Sequence, residues 1–424
     1  MLSGGAFPRF RVMPPQARYK GQGMTKASNG RAGALAWLHL WTGAISLMGF
    51  TAAVFAADSG APVLLPVPVE ARIPFAPSPF AGSDGATHLA YEMQITNVYG
   101  DTGTLRPRTL DVLDERDRVL LHLDEAGVDA VIRPAPDEGK PAGIVAGKRG
   151  TLLVWITLPA GAAPHTLHHR LTFTDEKGQV SHVDGVPVDV SDRAALHLGA
   201  PLKGGLWLAH EGPGNAHSHH WGSLVAVNGV LTIPQRFAID FVGIDKRGLA
   251  FKSVKDIHAT TYADWFGYGA EVLAVANGTV VAARDGEAEH KPLEAQSEPT
   301  SLSLDGLFGN YVVIDLGGGN FAGYAHLKRG SVTVKAGDAV VRGQVIGALG
   351  QSGNSAAPHL HFQVANAPTF EGSEGVPYVF DKIDSYGPES EGQLFGMGDR
   401  WKPATIRHGS AQLPLSDTVV GFPR

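Results

Sequence analysis

The sequence predicts an all-β protein of two blocks, a β-sandwich followed by a larger β-sheet domain. Three observations lead there. Short runs alternating apolar with polar residues recur along the chain, the period of a half-buried strand. Gly, Pro and Asp cluster between those runs, and 54 Gly and 28 Pro against 18% charged residues favour turns over long helices. No helix-period stretch competes between His88 and Val190. A length of 424 residues predicts two or three domains, and 43% hydrophobic residues suffice for a sizeable core, which excludes wholesale disorder.

The first 57 residues differ from the rest. They carry Arg9, Arg11, Arg18, Lys20, Lys26 and Arg31 and no acid, and an apolar run follows from Ala32 to Ala57. Val54 and Ala56 place small residues three and one positions before a cut at Ala57. Basic, apolar and small-residue regions in that order read as a secretory signal over residues 1–57; a retained membrane anchor is the alternative, since the run is long enough to span a bilayer. Either way the remainder is expected to be exported, to the periplasm, cell envelope or medium. Removing six of the 35 basic residues and none of the 41 acids moves the formal charge from −6 to −12. That balance argues against a nucleic-acid footprint and against simple attraction to anionic wall polymers or lipids. The absence of Cys excludes a disulfide framework, thiolate metal sites and a Cys nucleophile. Oligomeric state leaves no trace in the sequence.

Residues 58–87 read as a Pro-rich linker, with an edge strand at most. Residues 88–200 read as an Ig-like sandwich, with strands at Leu89–Ile95, Val119–Leu123, Leu152–Leu158 and Val180–Val183 separated by turn residues. His165, His168 and His169 fall here and are expected on polar strand faces, because no carboxylate at ligand spacing completes a metal set. Residues 205–384 form the second block. Asn310–Leu316 and Phe321–Leu327 flank Gly317–Asn320, a hairpin whose glycines supply positive φ. Strands are also expected over Val272–Val281 and Val332–Val340. The polar stretch from Asp285 to Gly306 is long for a structureless connection and reads as a lid or rim. Residues 385–424 are polar and Gly/Pro-rich and read as a tail lying on the domain.

The histidines concentrate the chemistry. His359 and His361 flank Leu360 ahead of Phe362, and in a strand residues i and i+2 share a face, so both imidazoles can enter one cleft. Imidazole is the commonest protein ligand of zinc, and a catalytic zinc takes three protein ligands and a water. In Arg236–Phe241 the acid Asp240 sits on an apolar strand, where it must be paired or bound to metal. His326 ends the return strand of the hairpin.

Taken in order, Gly309-Asn310-Tyr311, Tyr324-Ala325-His326-Leu327, Lys335-Ala336-Gly337-Asp338, Gly343-Gln344, Gly350–Ser355 and His359-Leu360-His361-Phe362 resemble the lysostaphin/LytM-type zinc metallopeptidases, which cut peptide crosslinks in bacterial peptidoglycan. The resemblance covers roughly residues 205–384 and leaves the sandwich outside. It implies a LytM/lysostaphin-type β-sheet peptidase domain, a Zn2+ cofactor and a peptidoglycan substrate. It further implies Asp240 and His361 as metal ligands, His359 as general base and His326 as the histidine that assists the transition state. Asn310 and Tyr311 are weaker candidates for substrate contact.

The family pattern also places a ligand four residues before the strand aspartate, and that position is Arg236. A replacement stands upstream. His217, His219 and His220 precede a ten-residue stretch alternating about Asn228-Gly229, a hairpin that brings its ends together near Asp240. His220 is favoured, with His219 next and His217 third. Arg236 motivates the competing reading of a non-catalytic member, acting as a wall-binding module or hydrolase activator. A carrier of the biotinyl/lipoyl type is a further rival, but the hairpin tip Gly317–Asn320 offers no modifiable Lys.

Overall fold

The computed structural model describes residues 67–423, apart from 253–254, 295–300, 302 and 398. The leader expected over residues 1–57 lies outside the described residues. Residues from Val67 onward cluster as one compact unit.

The chain enters through β1 (Val69–Arg72), β2 (Phe80–Ala81), β3 (Thr87–Asn97), β4 (Thr104–Asp114) and β5 (Val119–Leu123). After helix α1 (Glu125–Val131) come β6 (Ile132–Arg133), β7 (Ile144–Val145), β8 (Arg149–Leu158), β9 (Thr166–Thr174) and β10 (Val180–Asp189). They make two five-stranded antiparallel sheets, β1–β3–β8–β6 with β2 beside β3, and β10–β9–β4–β5 with β7 beside β4. One core lies between them: Leu89, Tyr91 and Met93 of β3 and Val154 of β8 meet Leu110 and Val112 of β4 and Phe173 of β9. Strand β9 alternates buried with less buried positions, as a strand with one face on a core must. The expected linker therefore ends early, since β1 and β2 both pair with β3.

The histidine cluster of β9 splits by that alternation. His168 faces out to Asp117, while His169 is fully buried, donates from Nδ1 to Val186 O and accepts Tyr91 Oη at 2.6 Å on Nε2. The expectation of polar strand faces fails for His169, because consecutive strand residues point to opposite sides.

The second block follows as β11 (Leu196–Leu198), β12 (Leu206–His210), α2 (His219–Gly222), β13 (Val225–Val227), β14 (Val230–Thr232) and β15 (Ile239–Ile244). Next come β16 (Glu271–Leu273), β17 (Gly278–Arg284), α3 (Leu304–Leu307), β18 (Tyr311–Gly317), β19 (Asn320–Ala325), β20 (Ala339–Val340), β21 (Val345–Ala348) and β22 (Leu360–Ala365). The chain closes with β23 (Tyr378–Pro388), α4 (Glu391–Leu394), β24 (Arg407–Gln412) and β25 (Thr418–Gly421). An eleven-stranded sheet runs β11–β23–β25–β12–β15–β22–β19–β18–β17–β20, with β24 beside β23. Both hairpins form where their turn residues require: Asn228 and Gly229 take φ of 51° and 81°, and Gly318 and Gly319 take 63° and 74°. The strand expected over Val332–Val340 shrinks to Ala339–Val340.

The tail expected over residues 385–424 is corrected. Strand β25 lies between β12 and β23, with Val419 and Val420 fully buried. Its apolar run is only four residues long within a polar stretch, and burial on both faces supplies the stability that local propensity does not.

The two blocks share more than a linker. Strand β3 is buried along nearly its whole length, because its odd positions feed the sandwich core while Ala90 and Glu92 face the second block. Phe80, Ala90 and Leu153 join Trp221, Ile233 and Phe237 in one core. Within it Arg236, 6% exposed, pairs with Glu92 of β3 and with Glu374. Burial alone disfavours its charge, but the two carboxylates outweigh burial and raise its pKa.

Two consequences are measurable. Arg236→Ala leaves two buried carboxylates without a cation and is expected to cost about 3–5 kcal/mol in urea unfolding; a loss below about 1 kcal/mol contradicts the structure. His169 has its pKa lowered from 6.5 to about 4, chiefly by burial. The folded state then binds fewer protons than the unfolded between those values, so its stabilisation holds above pH 6.5 and is lost as pH falls toward 4. Between pH 7 and 4 the wild type is expected to lose about 3 kcal/mol more than His169→Gln; parallel unfolding curves would rule this out.

Candidate metal centre

Three adjacent strands build the site. Asp240 of β15 stands opposite His361 of β22, and His361 stands opposite Ala325 of β19 on its other side. His359 immediately precedes β22, two residues from His361 and on the same face. His326 follows β19 directly, with φ of 60°, a left-handed conformation that histidine tolerates better than most side chains. Its backbone is held there by His326 N donating to Phe308 O and Gly350 N donating to His326 O. Asp240, His326 and His361 are each less than a tenth exposed.

The fifth group arrives from a loop. Ser218 caps α2, accepting His220 N on Oγ and donating to Glu211 O. His220 is thereby turned inward, 1% exposed, while His219 and His217 remain exposed. The Nδ1 of His220 donates to Glu211 O at 2.9 Å, and its Nε2 lies 3.4 Å from Asp240 Oδ1. The structure thus brings His220, Asp240, His326, His359 and His361 together and leaves His217 outside. His219 also reaches the cluster with His220 and Asp240. However, its Nδ1 lies 3.3 Å from Glu211 Oε2. Desolvation lowers the His219 pKa, but Glu211 and Asp240 raise it by more, which disfavours the neutral ring that a metal ligand needs.

Each ring has one nitrogen committed outside the cluster. His359 Nδ1 donates to Ala357 O at 2.8 Å, and His326 Nδ1 to Ser352 O at 2.8 Å. His361 Nε2 donates to Gln363 Oε1 at 3.0 Å. The opposite nitrogens of His220, His359 and His361 converge on Asp240 Oδ1 at 3.4, 3.4 and 3.0 Å. Converging lone pairs repel a carboxylate unless a cation lies among them, and His220 Nε2 is buried with no hydrogen-bond partner. Atoms bound tetrahedrally at about 2.0–2.1 Å are about 3.3 Å apart, close to the observed separations. The residues present therefore fit a metal ion. Burial lowers the His220 pKa to about 4 and the His326 pKa well below 6.5, so both rings are neutral. Burial opposes the charge on Asp240, but the imidazoles beside it, His359 foremost, hold its pKa well below 3.8.

Arg236, which stands where the family pattern has a ligand, points instead to Glu92 and Glu374. Asn310 is not free for substrate: its Nδ2 donates to Glu287 O and Leu327 O, which knits two loops together. Of the stretch expected to form a lid or rim, Glu289 accepts from Gln351 N, Arg329 N and Tyr268 Oη. Gln363 and Glu211 were missed from the sequence. The i, i+2, i+4 alternation of His359, His361 and Gln363 is a signal that points to the first; nothing local points to the second.

The sequence model of Peptidase family M23 matches residues 263–372. That span includes His326, His359 and His361, while His220 and Asp240 lie before it. Among solved structures, the catalytic domain of the antimicrobial peptidase lysostaphin from Staphylococcus simulans is 23% identical, covering 41% of this chain and 88% of that one at a TM-score of 0.21. The structure of a putative peptidase M23 from Pseudomonas aeruginosa is 17% identical over 65% of this chain and 92% of that one, TM-score 0.20. A zinc-containing peptidase from Vibrio cholerae is 18% identical over 71% and 83%, TM-score 0.20. Residues 263–372 thus carry a Peptidase family M23 domain, which supports a metallopeptidase.

Proposed function

We propose that the protein is an exported zinc metalloendopeptidase that hydrolyses peptide crosslinks of bacterial peptidoglycan. The observation that carries the chemistry is the convergence of His220 Nε2, His361 Nδ1 and Asp240 Oδ1 in a buried cluster with two further imidazoles beside it. These three residues would hold the ion, and an all-nitrogen-and-oxygen set rich in imidazole suits zinc. Bound there, zinc lowers the pKa of its water and polarises the scissile carbonyl. Export rests on the basic and apolar segments of residues 1–57, and the wall substrate on the resemblance of the motifs around His326 and His359.

His359 is the base of this reading. Its proton on Nδ1 is fixed by Ala357 O, which leaves Nε2 facing Asp240 and free to take a proton from the attacking water and return it to the leaving amine. His326 enters differently from the sequence-based expectation. With Nδ1–H committed to Ser352 O and its pKa pushed down by burial and by His359 and His361, its Nε2 is an acceptor in the resting protein. It can orient a water there, and it gains the donor role toward an oxyanion only once it carries a second proton. A non-catalytic wall-binding role drew on Arg236 alone, and His220 beside Asp240 supports the catalytic reading.

His220→Ala and His361→Ala are expected to lose stoichiometric zinc and activity on isolated peptidoglycan. His359→Ala is expected to keep zinc and lose about 10²–10⁴-fold in rate. Metal analysis with muropeptide release checks both. Loss of zinc by His359→Ala with retention by His361→Ala would falsify the role assignment, and an active variant with His217, His219 and His220 all changed to Ala would remove His220 from the site.

A further inference from the structure

We propose that Glu92, in the upstream sandwich, is a positioning residue for the metal centre. The inference rests on the reading of His220 as a ligand. A ligand carried on β15 would be held in place by ladder bonds to β12 and β22. His220 has no such support: α2 is four residues long, and the β13–β14 hairpin that follows pairs only with itself. The segment from His220 to Asp240 must be anchored by other means.

One carboxylate holds both ends of that segment. Glu92 Oε1 accepts Trp221 Nε1 at 2.6 Å and Arg236 Nε at 2.7 Å, and Oε2 pairs with Arg236 Nη2. Trp221 directly follows His220, and Arg236 occupies the position the family pattern gives to the strand ligand. Glu92 is 4% exposed, so these bonds form away from water. The sandwich adds two further contacts to the same loop: Arg133 of β6 donates to Ala216 O, and Trp155 of β8 meets the Trp221 ring edge-on at 5.9 Å. The accessory block thus completes the metal site by fixing the direction of the His220 ring, the role of an outer-layer group that orients a ligand.

The test uses the full chain, with cobalt(II) alone as the probe, read by titration of its visible absorption. Trp221→Phe keeps the ring and removes the donor; Glu92→Gln keeps an acceptor and removes the charge. Each is expected to weaken cobalt binding about 10–100-fold. Leu110→Ala, in the sandwich core on β4 and fully buried, is the control for stability. It is expected to lower the unfolding midpoint and change cobalt affinity by less than about twofold. Wild-type affinity in Trp221→Phe and Glu92→Gln, with loss in His220→Ala, overturns the role of Glu92 and leaves the ligand reading intact. Undiminished affinity in His220→Ala overturns the ligand reading itself. An equal loss of affinity in Leu110→Ala reduces the effect to general stability and also overturns the proposal.

Discussion

The register between β15 and β22 is the constraint on which the site depends. It sets Asp240 opposite His361, and the pairing of β22 with β19 sets Ala325, and so His326, on the other flank. Because side chains alternate along a strand, a one-residue slip would send Asp240 into the apolar core and Phe241 into the cleft. Phe241, Leu360 and Phe362 are fully buried on the opposite face, and this makes the slip prohibitive. The core thus specifies the site's geometry without touching the reacting atoms.

A second constraint is that buried imidazoles need a partner on one side if the other is to face a cation. Here the partners are mostly backbone carbonyls: Glu211 O, Ser352 O and Ala357 O. A carbonyl can only accept, so each fixes the proton on the nitrogen it binds and leaves a lone pair on the other, which in His220 and His359 is the one facing Asp240. The preorganisation is therefore set by loop conformations, which is consistent with the positive φ of the anchor Glu211 and of the anchored His326.

What could be read from the sequence followed from rules that need no topology. The i, i+2 rule put His359 and His361 on one face, the rarity of an acid on an apolar strand singled out Asp240, and Asn228-Gly229 and the Gly317–Asn320 turn marked both hairpins. What could not be read depended on contacts distant in sequence. The choice among His217, His219 and His220 is made by Ser218 and Glu211 O, which no local pattern weighs. β25 was hidden in a polar stretch because its partners, β12 and β23, lie far away in the chain. Nor does the run Leu89–Ile95 announce that β3 is covered on both faces, with Glu92 in the interface.

That interface also explains why one arginine can serve two carboxylates. Three full charges with a net of −1, all out of water, would be costly. Burial raises the Glu374 pKa to about 7, with Glu92 adding to the rise and Arg236 opposing it, so near neutrality Glu374 carries a proton about half of the time. The net charge of the cluster then lies between −1 and 0, and Arg236 pairs with Glu92 through both Nε and Nη2. Glu92 is the carboxylate that also receives Trp221, so the partner of Arg236 is the group that anchors the loop of His220. The buried cation at position 236 and the loop that carries His220 are therefore held by one carboxylate.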